Sequence, residues 1–269
     1  MPPLELALVV VAAMVAGIMN SVAGAGTLVT FPVLVAAGIP PVDANATSTV
    51  ALVPGAMGSM WGYRRHIEGS RPWALGFAFP SIAGGAVGAW LLLVTPADRF
   101  KALVPWLVLG ATFLFLIQRP AMRWLRRHQA AGQASDWYDG DPTRDIALTS
   151  TRPPVSVLGY QFAVSVYGGY FGAGVGILML AALGFMGLGN IHRMNGLKNW
   201  GGLCMNFVAA AMFAFTKLVH WPVALAMAGG AVVGGYIGSR TAQRLPQGLV
   251  RGVIIAIGLV SGVLLLFSR

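Results

Sequence analysis

Ten apolar runs, at about 4–20, 24–38, 44–62, 73–95, 99–118, 154–171, 175–188, 194–216, 222–242 and 247–267, fill most of this 269-residue chain. Charges are confined to short clusters between them. Only 10% of the residues are charged, against roughly 25% in a soluble domain, and the mean hydropathy is +0.72. Too few polar groups remain to make a surface that water wets. Soluble, secreted and disordered classes therefore fit poorly, and an all-α integral membrane protein fits well. The 18 Lys and Arg outnumber the 8 Asp and Glu, giving a formal charge of +10. Their position between apolar runs is that of loops held on one side of a bilayer. The partner they imply is the lipid bilayer, not nucleic acid.

The acids are Glu5, Asp43, Glu68, Asp98, Asp136, Asp139, Asp141 and Asp145, and none follows Asp145. The second half thus has no carboxylate to bind a cation or relay a proton. Hydroxyls, amides, glycines and a few cations are left, and that inventory suits a small anionic substrate. Cys204 is the single cysteine, which excludes an intrachain disulfide and a cysteine metal cluster. His66, His128, His192 and His220 lack metal-ligand spacing, and lone loop histidines of this kind are usually bystanders. No metal, no cofactor and no catalytic residues are expected. An intramembrane enzyme is a poor reading, because zinc-protease, paired-aspartate and Ser/His patterns are missing from the apolar runs.

A membrane span needs roughly 20 residues. The first two runs of each half fall short: 15 residues rising 1.5 Å each reach only about 22 Å. They are separated by Asn20-Ser21-Val22-Ala23-Gly24-Ala25-Gly26 and by Phe171-Gly172-Ala173-Gly174-Val175-Gly176. Each pair reads as a broken, re-entrant helical hairpin, and irregular backbone at that depth survives only beside protein or a wet cavity. A shift of 150 residues superposes the landmarks of the halves. Gly24 meets Gly174, Gly26 meets Gly176, Asn45 meets Asn195, Pro72 meets Pro222, and Pro96 meets Pro246. Gly84, Gly85 and Gly88 meet Gly234, Gly235 and Gly238, as small-residue packing faces do. The chain thus divides into a first repeat (1–118), a linker (119–152) and a second repeat (153–269), with five segments per repeat. An odd number makes the repeats inverted, a common transporter design.

Basic loops set the orientation. Arg64, Arg65 and Arg71, the central Arg119, Arg123, Arg126 and Arg127, and Arg240, Arg244 and Arg251 mark one side as cytoplasmic. Lys217 stands alone on the other, and both termini lie outside. The linker reads as solvated, with turn formers at Asp139-Gly140-Asp141-Pro142. Met1–Val10 has no basic residue, so no cleaved signal peptide is expected. Trp61, Tyr63, Trp73, Trp90, Trp106 and Trp221 fall near run ends, as interfacial belts do.

Candidate site residues follow from the breaks. At the first turn, Asn20, Ser21, Gly24 and Gly26 lead into a helix beginning near Thr27. The second turn offers Gly172, Gly174 and Gly176. Helix N-termini at such turns present N–H groups and a positive dipole end to an anion; the plain alternative is a structural kink. The third run opens on Ala44-Asn45-Ala46-Thr47-Ser48-Thr49, where Asn45, Thr47 and Ser48 serve either a site or a helix cap. Its counterpart, Arg193-Met194-Asn195-Gly196-Leu197-Lys198-Asn199, puts Asn195, Lys198 and Asn199 on one helical face, extended by Gly202 and Asn206. A lysine inside an apolar run marks function by default, unless it snorkels to the interface.

These residues resemble a known family. Ala16-Gly17-Ile18-Met19-Asn20-Ser21-Val22-Ala23-Gly24-Ala25-Gly26-Thr27, with Phe31-Pro32-Val33-Leu34, Gly38, Pro40 and Ala44-Asn45-Ala46-Thr47-Ser48, is similar to the first repeat of the TauE/SafE sulfite exporters. Pro54-Gly55, Gly62-Tyr63-Arg64 and Asn195-Gly196-Leu197-Lys198-Asn199 look like that family too. The resemblance implies a multi-pass transporter of the bacterial inner membrane for sulfite, thiosulfate or organosulfonates, with its central loop cytoplasmic. Export by alternating access is the expectation. A non-transporting scaffold, or an importer or facilitator of another small organic anion, is the alternative, and a homo-oligomer is compatible with either. Ala173 and Val175 interleave the second turn's glycines, and Lys198 stands opposite Ser48 in the repeat. Both are departures from the family's glycine-rich pattern.

Overall fold

Prolines at the first or second position, where a missing N–H and a fixed φ favour the helix, open α1 (Pro3–Ala23), α3 (Pro41–Tyr63) and α4 (Arg71–Val94). The computed structural model of the chain describes residues 2–130, 142–186, 188, 190–241 and 247–267. The remaining helices are α2 (Gly26–Ala36), α5 (Ala97–Ala130), α6 (Pro142–Ser150), α7 (Val155–Tyr170), α8 (Val175–Phe185), α9 (Ile191–Ala214), α10 (Trp221–Thr241) and α11 (Gln247–Phe267). A 3-10 turn, Arg64–Ile67, links α3 to α4. No strand occurs among the described residues. The linker turn Asp139-Gly140-Asp141, together with Arg244 and Pro246, lies outside them.

Three of these expectations need correction. The first run is not short: α1 has 21 residues, about 31 Å at 1.5 Å per residue, and Pro3–Ser21 is apolar enough to cross a membrane. The helix runs on through Asn20 and Ser21 because the Ser21 hydroxyl donates back to the Ile18 carbonyl at 2.8 Å, which satisfies a group that apolar surroundings would penalise. Part of the linker is not solvated, since α6 buries Asp145 and Thr149. Tyr63 and Trp73 are 2% and 3% exposed, so they belong to the core rather than to an aromatic belt. Trp61, Trp90, Trp106 and Trp221 are exposed.

Helix directions follow from close contacts. α10 lies between α1 and α3, α4 lies between α7 and α9, and α3 meets α9 between the two groups. Val10 and Met14 of α1 face Gly230 and Gly234 of α10, and Gly55 and Gly62 of α3 face Gly235 and Ser239, so α1, α3 and α10 run parallel. Phe162 and Val166 of α7 face Gly84 and Gly88 of α4, whose Gly85 faces Met205 of α9. These three also run parallel. Gly196, early in α9, abuts Ile67 just beyond the end of α3, so α3 and α9 are antiparallel. Contacts recur at the 150-residue offset: Gly85 on Met205 matches Gly235 on Gly55. The Arg193 guanidinium donates to Ser70, and its counterpart is His220 against Asp43 at 3.3 Å.

Beside Ser70, the docked linker helix completes a polar cluster. Thr149 accepts from Ser70 at 2.8 Å, and the Asp145 carboxylate accepts from the Asn190 N–H at 2.8 Å. The His66 ring in the 3-10 turn stacks 5.2 Å from His192, and its Nδ1 is buried with no hydrogen-bond partner among the described residues. Burial, then the neighbouring His192 and Arg193, hold this imidazole below its ordinary 6.5. The unfolded chain therefore takes up the His66 proton at higher pH than the folded one. The stability tied to neutral His66 is complete above the ordinary value and is lost as pH falls through it toward the lower folded value. Lowering pH from about 7.5 to about 5.5 is expected to depress the thermal unfolding midpoint more in the wild type than in His66→Gln. Parallel pH curves for the two proteins would remove His66 from this role.

Candidate functional site

The two helix breaks meet. α1 ends at Gly24, whose φ of +70° is the left-handed geometry that glycine adopts without a Cβ clash. A Cβ there would also lie 2.5 Å from the Gly176 Cα, so only glycine lets the two turns touch. Gly172 and Gly174, at φ +81° and +76°, make the second turn. Phe31 of α2 packs edge-on against Phe171 with ring centres 5.4 Å apart, and Phe171 lies 6.4 Å from Phe100 of α5. All three rings are at most 2% exposed, and together they brace the crossing.

A small cavity of about 40 Å³ opens beside the turns. Asn20 and Gly24 come from the first turn, and Gly172, Val175 and Gly176 from the second. α9 supplies Lys198, Asn199, Gly202 and Asn206, and α3 supplies Ala56 and Ser59. Val175 and Gly176 are the first two residues of α8, so the positive end of that helix dipole borders the cavity.

Lys198 is 3% exposed and does not snorkel to an interface. Its ammonium donates to the carbonyls of Asn20 and Ser21 at 3.2 and 3.3 Å, in the last turn of α1, where the Asn20 carbonyl also accepts from the Gly24 N–H at 3.2 Å. An ammonium has three protons, so one remains for a ligand. The Asn20 side-chain oxygen accepts from the Gly26 N–H at 3.3 Å. α2 thus begins at Gly26, next to Thr27 as expected, and its first N–H is already occupied. The Asn199 side-chain nitrogen is buried with no hydrogen-bond partner among the described residues. A buried amide in that condition is expensive unless something accepts from it.

The model of the sulfite exporter TauE/SafE family matches residues 9–265. The chain belongs to the TauE/SafE family. It is similar to the probable membrane transporter protein ORF9 of a Sinorhizobium species, at 28% identity over 97% of this chain and 92% of that protein. It is also 26% identical to the probable membrane transporter protein YfcA of Escherichia coli K12, over 99% of this chain and 91% of that one. A probable membrane transporter protein of Haemophilus influenzae is 24% identical over 90% and 86% of the two chains. No solved structure matches. As a TauE/SafE protein the chain is a member of a membrane transporter family, and its apolar helices fit a multi-pass arrangement.

In this TauE/SafE chain the residues singled out by sequence fall into two groups. Asn20, Gly24, Gly172, Gly176, Lys198 and Asn199 line the cavity. Ser21, Gly26, Asn45, Thr47, Ser48, Gly174 and Asn195 do not. Thr47 accepts from the His220 N–H at 3.0 Å and so caps α10. Ser48 and Thr30 share a hydrogen bond of 2.6 Å that ties α2 to α3. The Asn45 amide donates to the Tyr170 carbonyl at 3.0 Å, across to the last residue of α7. The side-chain oxygens of Asn45 and Asn195 are buried without a partner among the described residues. Ser59 was missed. It lies 11 residues beyond Ser48, three helical turns on the same face, and that spacing was the available signal.

Proposed function

We propose that this chain is a secondary transporter, working as an exporter, for a small sulfur-containing anion such as sulfite or an organosulfonate. The observation that carries the reading is Lys198 with the unpartnered Asn199 amide beside it, at the cavity where the two helix breaks touch. A cation, an amide and a helix N-terminus converge there, and no carboxylate is among the described residues that line the cavity. That chemistry recognises an oxyanion, which accepts several hydrogen bonds at once.

The two halves act as inverted repeats that rock about this site. Support comes from the antiparallel α3 and α9, and from contacts that recur at the 150-residue offset. α7 and α8 form the re-entrant hairpin of the second half, and in the first half the full-length α1 leads into the short, returning α2. α2 turns back alongside the start of α3, where Thr30 bonds Ser48. Sites at the meeting point of broken helices are the usual arrangement in such transporters. An inside-negative potential favours anion exit by about 2.3 kcal/mol per charge per 100 mV, so export needs no coupled cation. The central linker lies on the cytoplasmic side of the inner membrane.

The test is efflux from proteoliposomes that contain the purified chain and sulfite, with an inside-negative potential. Sulfite efflux above that of empty liposomes, reduced by organosulfonates supplied on the same face, is expected. Potential-insensitive movement of a carboxylate alone would favour a facilitator of organic anions, and no flux of any anion would favour a scaffold.

A further inference from the structure

A second cavity, of about 270 Å³, lies apart from the first, between the C-terminal ends of α3 and α10. Trp61, Gly62, Arg64, Arg65, Tyr236 and Arg240 line it, and no acid is among them. Because α3 and α10 run parallel, their walls match. Met57, Trp61 and Arg65 succeed one another four residues apart on one side, and Val232, Tyr236 and Arg240 do so on the other. Each wall thus passes from aliphatic to aromatic to arginine, about 6 Å per step within the α-helices. Arg65 stands in the 3-10 turn just beyond α3, and Met57 and Val232 lie one turn before the cavity's own lining. All six side chains are exposed.

Two of the three arginines, Arg64 and Arg240, are held rather than splayed. The Arg64 guanidinium sits 4.3 Å from the centre of the Trp61 ring, and that of Arg240 sits 4.5 Å from the Tyr236 ring. Stacking leaves the guanidinium edge free to donate. Arg64 also donates to the Trp61 carbonyl at 2.7 Å, capping α3, which leaves Arg65 and Arg240 for a ligand. The fold does not require these cations. At the 150-residue offset Trp61, Arg65, Tyr236 and Arg240 become Ala211, Phe215, Ala86 and Trp90, so the equivalent place between α9 and α4 has no arginine.

We propose that this groove binds an anionic phospholipid. The headgroup phosphate bridges Arg65 and Arg240, and an acyl chain lies between the Met57/Trp61 and Val232/Tyr236 walls. Paired arginines fit a phosphate through bidentate donation, and basic pockets at helix ends on the cytoplasmic side are suited to such headgroups. The aliphatic turn beneath each aromatic separates a lipid from free phosphate, which would gain nothing from it.

The test is a native mass-spectrometric titration of the full chain in detergent with phosphatidylglycerol, phosphatidylcholine or inorganic phosphate. The wild type is expected to retain phosphatidylglycerol at least about ten-fold better than phosphatidylcholine. Arg65→Gln with Arg240→Gln should lose that preference. Arg71→Gln with Arg152→Gln, which removes equal charge from exposed arginines outside the groove, should keep it. Arg65→Lys with Arg240→Lys preserves the charge needed for insertion and should weaken retention, because ammonium groups lack the planar fork. Equal loss in the control pair, an undiminished preference in the Lys pair, or displacement of the lipid by millimolar inorganic phosphate would each overturn the proposal.

Discussion

Lys198→Ala is expected to lower sulfite efflux from proteoliposomes about 100-fold. A hydrogen bond from a charged donor contributes about 1.5–3 kcal/mol, or roughly 10- to 150-fold, and among the described residues no second cation lines the cavity to replace it. The same lysine also holds the Asn20 and Ser21 carbonyls at the end of α1. Removing it takes a donor from both, the Asn20 carbonyl keeping only the Gly24 N–H, at about 1–3 kcal/mol of stability, so lost flux alone would not separate transport from a loosened helix end. Lys198→Gln separates the two roles, because its amide can still donate to a carbonyl but carries no charge. The expected result is a Gln variant that unfolds near the wild-type temperature and transports as poorly as the Ala variant. Wild-type efflux from Lys198→Gln would reduce Lys198 to a helix cap. Asn199→Ala should give a smaller loss, about ten-fold, since a neutral hydrogen bond contributes about 1 kcal/mol.

The helices were legible because hydrophobic run length is a direct statement about the bilayer. Nine of the ten apolar runs end within four residues of their helices; the run at 99–118 continues as α5 to Ala130. Failures occurred where local chemistry outweighs hydropathy. Asn20 and Ser21 look like a break, yet they are helical because one caps Gly26 and the other bonds its own helix. α6 looks like solvated linker, but Asp145 and Thr149 find partners in Asn190 and Ser70 that lie far away in sequence. At the site, the glycine breaks and Lys198 were visible as violations of membrane economy. Nothing in the sequence revealed that Thr47 and Ser48 serve packing and capping rather than the cavity. Hydroxyls at a helix start have the same signature for both purposes, and only the position of α10 and α2 decides between them.

Gly235→Ala is expected to be strongly damaging for a single-methyl change, lowering stability by about 3 kcal/mol, the upper end of what overpacking costs. A Cβ on Gly235 would stand 2.2 Å from the Gly55 carbonyl oxygen and 3.0 Å from its carbonyl carbon. These are backbone atoms, so no rotamer change relieves the clash and α3 must separate from α10. Gly85→Ala should do less, because its Cβ would stand 2.7 Å from the Met205 carbonyl oxygen. Gly159→Ala, at an exposed helical position with nothing within 4 Å, should instead stabilise by about 0.5–1 kcal/mol through helix propensity. The expected order of thermal unfolding midpoints in detergent is therefore Gly159→Ala, wild type, Gly85→Ala, Gly235→Ala, from highest to lowest. The order tests more than packing. If α3 and α10 slide against each other during transport, Gly235→Ala must also reduce efflux beyond what its folded fraction explains. If that interface stays fixed while other helices move, efflux per folded molecule would match the wild type, and the moving boundary would lie between α3 and α9, where Gly196 abuts Ile67.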